Sequence, residues 1–204
     1  GTIKTVALKC DVPASSTADE DIIFGINNAD TMAAVGLGSG QTITLTHGTT
    51  NSGTMTIKST GTFTVLLDSS TPSYKHASAG TTGNVASVLK LRSTNEDITL
   101  NRLGLQLTGA TASSTAADIT KVTLWDGTTK VGEGLFTGTN TVATTTLTSG
   151  FTLTKDVDTL LTVKIDLAAI GTSKPGTAGS LHKIDYDGDR VFATEGNGAD
   201  SGTS

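Results

Sequence analysis

The sequence predicts an all-β, antiparallel sandwich with almost no helix, and three observations predict it. Threonine is the commonest residue, ahead of even the 24 glycines. Thr is β-branched and suits a pleated, half-exposed surface, while Gly and Asn supply the positive φ angles of tight hairpins. Apolar residues alternate with polar ones at period two along most of the chain, and turn signals separate these segments at short intervals. Aromatics make up only 4% of the 204 residues, so the core must come from Val, Leu and Ile.

The alternating segments begin with Val6, Leu8, Cys10 and Val12, which share one face, while Ala7, Lys9 and Asp11 share the other. Ile43 and Leu45 follow, then Met55 and Ile57, then Phe63, Val65 and Leu67. The cleanest case is Leu161, Val163, Ile165 and Leu167 between Thr162, Lys164 and Asp166, a strand with one face on a core and one in water. One segment changes phase: Ile98 and Leu100 are even, Leu103, Leu105 and Leu107 odd. A single extra residue near Asn101-Arg102 restores one apolar face, which predicts a β-bulge there. Asp126-Gly127, between Leu124-Trp125 and Val131, predicts a hairpin, and Asp187-Gly188, between Ile184–Tyr186 and Val191-Phe192, predicts another. Helix is expected only as single turns around Thr31–Val35 and Asp166–Ile170. About a dozen strands result, more than a minimal sandwich needs. A break at Asp68–Ser73 divides them into a β-rich N-terminal segment, 1–67, and a complete sandwich, 68–204.

Charge and composition exclude several classes of function. With 14 Lys and Arg against 19 Asp and Glu, the net charge is −5 and the pI about 5.0, which argues against a nucleic-acid partner. No apolar run is long enough for a membrane-spanning helix. Cys10 is the sole cysteine, so no intrachain disulfide forms, and it reads as a small buried hydrophobe rather than a reactive thiol. The opening on Gly1 reads as a processed or trimmed form, with export inferred from composition alone.

A resemblance adds to this reading. Asp68-Ser-Ser-Thr-Pro72, Ala79-Gly-Thr-Thr-Gly83, Thr94-Asn-Glu-Asp-Ile98 with Leu103-Gly-Leu105, and Val122-Thr-Leu-Trp-Asp-Gly127 resemble a repeated immunoglobulin-like module. So do Leu160–Gly171 and Ile184-Asp-Tyr-Asp-Gly188. The module is similar to those of large S-layer-like cell-surface proteins of bacteria. The resemblance covers about the last two thirds of the chain and implies an immunoglobulin-like β-sandwich at the cell surface. Its motifs are turns and core positions, not chemistry.

Few residues suggest chemistry. Asp185, Asp187 and Asp189 lie two apart around Gly188, and calcium favours such hard oxygens, but a solvated hairpin tip is the preferred reading. Asp19-Glu20-Asp21 reads as a solvated loop, and Glu96-Asp97 as a further source of carboxylates. His47, His76 and His182 are too scattered for a legible metal site. Gly36–Gly40 lacks the Lys-Ser/Thr pair of a phosphate loop. Trp125 is either a stacking platform for sugar or, preferably, a cover for the sandwich end. Thr144–Thr146 are candidate O-glycan acceptors. No catalytic constellation is legible, and the chain is not expected to be an enzyme.

These readings converge on a self-assembling extracellular structural protein, a surface filament or S-layer subunit whose main partner is itself. Residues 2–12, apolar on one face and followed by Pro13-Ala-Ser-Ser-Thr-Ala18, form a candidate donor strand that completes a neighbour's sheet, with Val6, Leu8, Cys10 and Val12 inserted. The competing reading is the ordinary first strand of its own domain. The alternative function is a carbohydrate- or ligand-binding module of a larger adhesin, with cell-surface glycans as partner and calcium in the acidic loop.

Overall fold

The computed structural model describes the chain except residues 1–2, 6, 14–15, 26–33, 44–50, 58–59, 108–114, 138–140, 149, 189–193 and 203–204. Its two compact units are Gly1–Ser59 and Thr60–Ser204.

In the first unit β1 (Asp21–Ile22) pairs antiparallel with β2 (Met55–Thr56), and the Thr56 hydroxyl donates to Asp21 Oδ1 at 2.7 Å. Val35 and Thr42 form one isolated bridge around the Gly36–Gly40 turn, where Gly40 takes φ +67°. Residues 3–5 and 7–13 belong to no strand despite their alternation. Period two gives a strand only where a neighbouring edge supplies hydrogen bonds and a core covers one face, and among the described residues neither is present here. Cys10 is therefore exposed, not buried as its pattern suggested.

The second unit is all-β, one ten-stranded antiparallel sheet curled into a half-barrel. Its strands are β3 (Thr62–Leu67), β4 (Asn84–Thr94), β5 (Ile98–Leu107), β6 (Ile119–Asp126), β7 (Thr129–Gly134), β8 (Val142–Leu147), β9 (Thr152–Leu153), β10 (Asp158–Leu167), β11 (Ile184–Tyr186) and β12 (Glu195–Gly198). The order across the sheet is β11-β5-β8-β7-β6-β10-β4-β3, with β9 and β12 also on β5. β3 precedes the Asp68–Ser73 break yet pairs with β4 along its whole length. The break is a turn inside this unit: Asp68 Oδ1 accepts from the Ser70 N–H and hydroxyl.

β5 organises the core. Arg102 pairs with Glu195 and Leu100 with Gly196, so Asn101 is the unpaired extra residue of the predicted bulge. Ile98, Leu100, Leu103, Leu105 and Leu107 are consequently all buried on one side, with Leu89, Leu91, Val122, Leu124, Leu161, Val163 and Ile165 from the facing strands. The Asp126-Gly127 hairpin is present, with Asp126 opposite Thr129 and Gly127 at φ +56°. Of the second predicted hairpin, the structure describes the first strand, β11, and Asp187-Gly188. β11 and β12 do not pair with each other; both lie antiparallel along one edge of β5. Val191 and Phe192 lie outside the described residues. Asp166–Leu167 belong to β10 rather than to a helical turn. The one described helical element is a 3-10 turn at Ala116–Asp118.

Candidate functional site

The half-barrel has two edges, β3 at one end and β11 with β12 at the other, and among the described residues no backbone pairing joins them. The curl brings these edges face to face: Phe63 of β3 meets Tyr186 of β11 edge to face, ring centroids 6.5 Å apart. Side chains thus bridge a seam that backbone hydrogen bonds leave open. Phe63, Val65, Ala86 and Tyr186 are partly buried hydrophobics packed on the core. Leu67 makes the point most clearly. Its pairing opposite buried Leu89 turns it inward, yet it is 54% exposed, with no cover among the described residues.

Two hollows mark the seam. One, of about 480 Å³, lies between Phe63 and β12 over Ile98 and Leu100. Gly196 and Gly198 of β12 contribute no side chain to it, and a Cβ on Gly196 would lie 2.9 Å from Leu100 Cδ2, so only glycine lets this strand approach β5. The other, about 1020 Å³, is bounded by Leu67, the Tyr74–His76 segment and the 176–185 loop.

Two buried carboxylates border the hollows, Glu96 the smaller and Asp118 the larger. Glu96, 4% exposed, accepts from the N–H groups of Gly61, Asp200 and Ser201 and from the Ser201 hydroxyl. The Ser201 hydroxyl and N–H are the main causes that bring its pKa down to about 2, and the Gly61 and Asp200 amides add to them against burial. Glu96 thereby ties the C-terminal turn to the start of β3. Asp118 accepts from the Thr115 and Thr177 N–H groups at 2.7 and 2.6 Å. Burial pushes its carboxyl up, but these bonds outweigh burial and leave it below the ordinary value. Burial also lowers the pKa of His182, against the opposing pull of Asp118.

The residues singled out by sequence fall as follows. Leu8 and Val12 are exposed on the unpaired segment, 73% and 48%; Val6 lies outside the described residues. Asp185 is half-buried and paired with Lys183 at 3.2 Å. Asp187 is buried, with its N–H donating to Gly104 O at 3.0 Å, so it is not a solvated hairpin tip. Asp189 lies outside the described residues, among which no group of three or more His, Cys, Asp or Glu could hold a metal. Trp125 stands half-buried beside Thr123, to which its indole N–H donates, and Lys164 Nζ lies 4.0 Å above the ring. That ammonium occupies one face of any stacking platform. Of the Thr144–Thr146 run, Thr145 is fully buried and donates to Leu103 O at 2.6 Å, leaving Thr144 and Thr146 exposed.

Asp97 Oδ1 accepts from the Lys155 N–H, so both carboxylates of Glu96-Asp97 are used within the fold. His76 packs edge to face on Tyr74, and His47 lies outside the described residues. The roles of Glu96 and Asp118 carry little local signal: a Thr115-Ala-Ala-Asp118 capping pattern announces the second, and nothing nearby announces the donors that reach Glu96 from residue 200. No helix among the described residues is long and apolar enough to cross a membrane. Comparison with protein-family models, with curated proteins and with solved structures finds no match for this chain.

Proposed function

We propose that this chain is the structural subunit of an extracellular polymer, a surface filament or S-layer, held together by β-strand contacts between subunits. The observation that carries the reading is the N-terminal segment. It has the alternation of a half-buried strand, yet its described residues join no sheet, and Ile3 and Leu8 are 96% and 73% exposed. Such a segment is the raw material of strand addition, in which main-chain hydrogen bonds give affinity and alternate side chains fill pockets. A head-to-tail contact of this kind that does not close on itself gives a filament or lattice. In this reading the curled sheet corresponds to the immunoglobulin-like module of S-layer-like bacterial surface proteins. Its antiparallel order and Val/Leu/Ile core support that correspondence. The Thr-rich surface and the lack of any legible catalytic constellation support a structural role outside the cell.

Negative-stain electron microscopy of the native full chain tests it. Ordered filaments or lattices are expected, and deletion of residues 1–12 is expected to abolish them while the circular dichroism of the β-sheet persists. An undiminished polymer from the deletion variant sinks the donor-strand mechanism.

One observation favours a second reading, a carbohydrate- or ligand-binding module of an adhesin: the 1020 Å³ hollow with the Tyr74–His76 pair on its wall. The polymer reading expects no heat of binding when oligosaccharides are titrated into the protein, with or without calcium. A saturable signal lost in Tyr74→Ala would move the assignment to the adhesin module, and a calcium requirement would bring Asp185, Asp187 and Asp189 into it as ligands.

A further inference from the structure

We propose that the open seam between β3 and the β11–β12 edge is the acceptor for residues 2–12 of a second copy of this chain, with Val6, Leu8, Cys10 and Val12 turned inward. The assignment rests on the polymer reading and names the surface on which the contact is made.

The seam offers what an incoming strand needs. On either side of it lies a sheet edge with no further strand paired to it among the described residues. Below it lies an apolar floor that the fold leaves half covered: Phe63, Val65 and Tyr186 are partly buried, and inward-facing Leu67 is mostly open to solvent. Gly196 and Gly198 place no side chains over Ile98 and Leu100 at one end. Apolar side chains arriving at every second position would fill these places, and the donor's inward set has that spacing.

Length and charge agree. β11 and β12 together follow β5 from Leu107 to Ile98, ten residues, or about 33 Å at the usual rise per residue. Residues 2–12 in extended form span about 36 Å. The segment carries Lys4 and Lys9 against Asp11, net basic in a chain of net charge −5. Attraction between donor and body therefore favours encounter.

The sheet also sets a direction. Every pairing in it is antiparallel, so the strands alternate in sense from β11 across to β3, and the two edges run opposite to each other. A strand inserted between them runs antiparallel to one and parallel to the other. β3 is a strand of six residues, whereas β11 has three and β12 four. Antiparallel pairing is the stronger per residue, which orients the donor antiparallel to β3. The polymer reading makes the occupant a second copy, each subunit's segment passing to the next in an open head-to-tail chain.

The native cysteine makes the test direct. Cys10 is the sole cysteine and lies on the donor's inward face. Phe63→Cys, Val65→Cys and Leu67→Cys, made singly in the full chain, place a thiol at each inward position of β3. Leu66→Cys places one on the outward face of the same strand. Leu67 and Leu66 are both exposed, so these two variants do not depend on tolerance of the core. After mild oxidation of the assembled protein, non-reducing electrophoresis is expected to show a ladder of covalent multimers from at least one inward variant. That ladder should collapse on reduction, disappear when Cys10→Ser is added, and be absent from Leu66→Cys. Polymers seen by microscopy without a ladder from any inward variant, or an equal ladder from Leu66→Cys, would overturn the seam as acceptor and leave the polymer reading standing. A cross-linked monomer of altered mobility would show the segment filling its own seam and overturn the second copy as occupant. Absence of any polymer from the unmodified chain removes the polymer reading itself, and this proposal with it.

Discussion

Leu105→Ala is expected to destabilise the Thr60–Ser204 unit by about 3 kcal/mol. Leu105 is fully buried at the centre of β5, with β8 paired on one edge of the strand and β11 on the other. Both neighbours hold the backbone in place, so the site has little freedom to collapse around a smaller side chain. Deletion then costs the transfer energy of the lost atoms and the energy of the cavity together. In a domain of this size each kcal/mol lowers the melting temperature by roughly 2–4 °C, so a fall of about 6–12 °C follows. Denaturant titration checks it: the midpoint should fall with an unchanged slope. Leu66→Ala, on an exposed position of β3, should stay within about 0.5 kcal/mol. A loss at Leu105 no larger than that would mean the interior is not closely packed.

Glu96→Ala is expected to cost about 3 kcal/mol as well, by another route. The carboxylate is the common acceptor for Gly61, Asp200 and two groups of Ser201, and its removal leaves these donors to be satisfied by whatever water can enter. Its titration gives a second readout. The folded pKa is about 2, below the ordinary value of 4.5, so the ionised form is what the fold stabilises. This contribution is fully present above pH 4.5 and is lost as pH falls from there towards 2. The wild-type melting temperature should therefore drop across that window by more than that of Glu96→Ala. Equal drops in the two proteins would show that other carboxylates account for the acid sensitivity. The C-terminal turn should also detach in the variant, with faster amide exchange at Asp200 and Ser201 than at buried β5 positions.

Much of the fold was legible before any coordinates, because strands with one face on a core write that fact in every second residue. The Leu161–Leu167 alternation is β10, and Asp126-Gly127 is its hairpin neighbour's turn, since a two-residue turn needs the positive φ that Gly127 provides. The phase slip at Asn101 identified the bulge because one extra residue must flip every later side chain. At Asp187-Gly188 only the first strand of the expected hairpin, β11, lies within the described residues. β11 itself pairs with β5, a contact between residues far apart in the chain that the local turn signal does not announce. The alternation failed to give a strand at residues 3–5 and 7–13, where the pattern is present and no partner lies among the described residues.

The site was less legible than the fold. Sequence drew attention to Asp187 for its charge, and the structure buries it beside Gly104. Sequence read Trp125 as a platform or an end cover, and Lys164, 39 positions later, comes to lie across its ring. Glu96 shows no local mark of its role, because its donors come from residues 61, 200 and 201.

Composition, periodicity and turn chemistry by themselves determined that this chain is all-β and antiparallel. They also determined where most strands of the larger unit run and which side chains form its core. These are properties of single strands, set by backbone sterics and by which face is apolar. Only the tertiary structure decided which edge pairs with which, that among the described residues the sheet curls without closing, and that Leu67 is exposed on an inward position of β3. Those outcomes depend on contacts between residues far apart in the chain, and period-two alternation, being the same in every strand, carries no information about which partner it will meet.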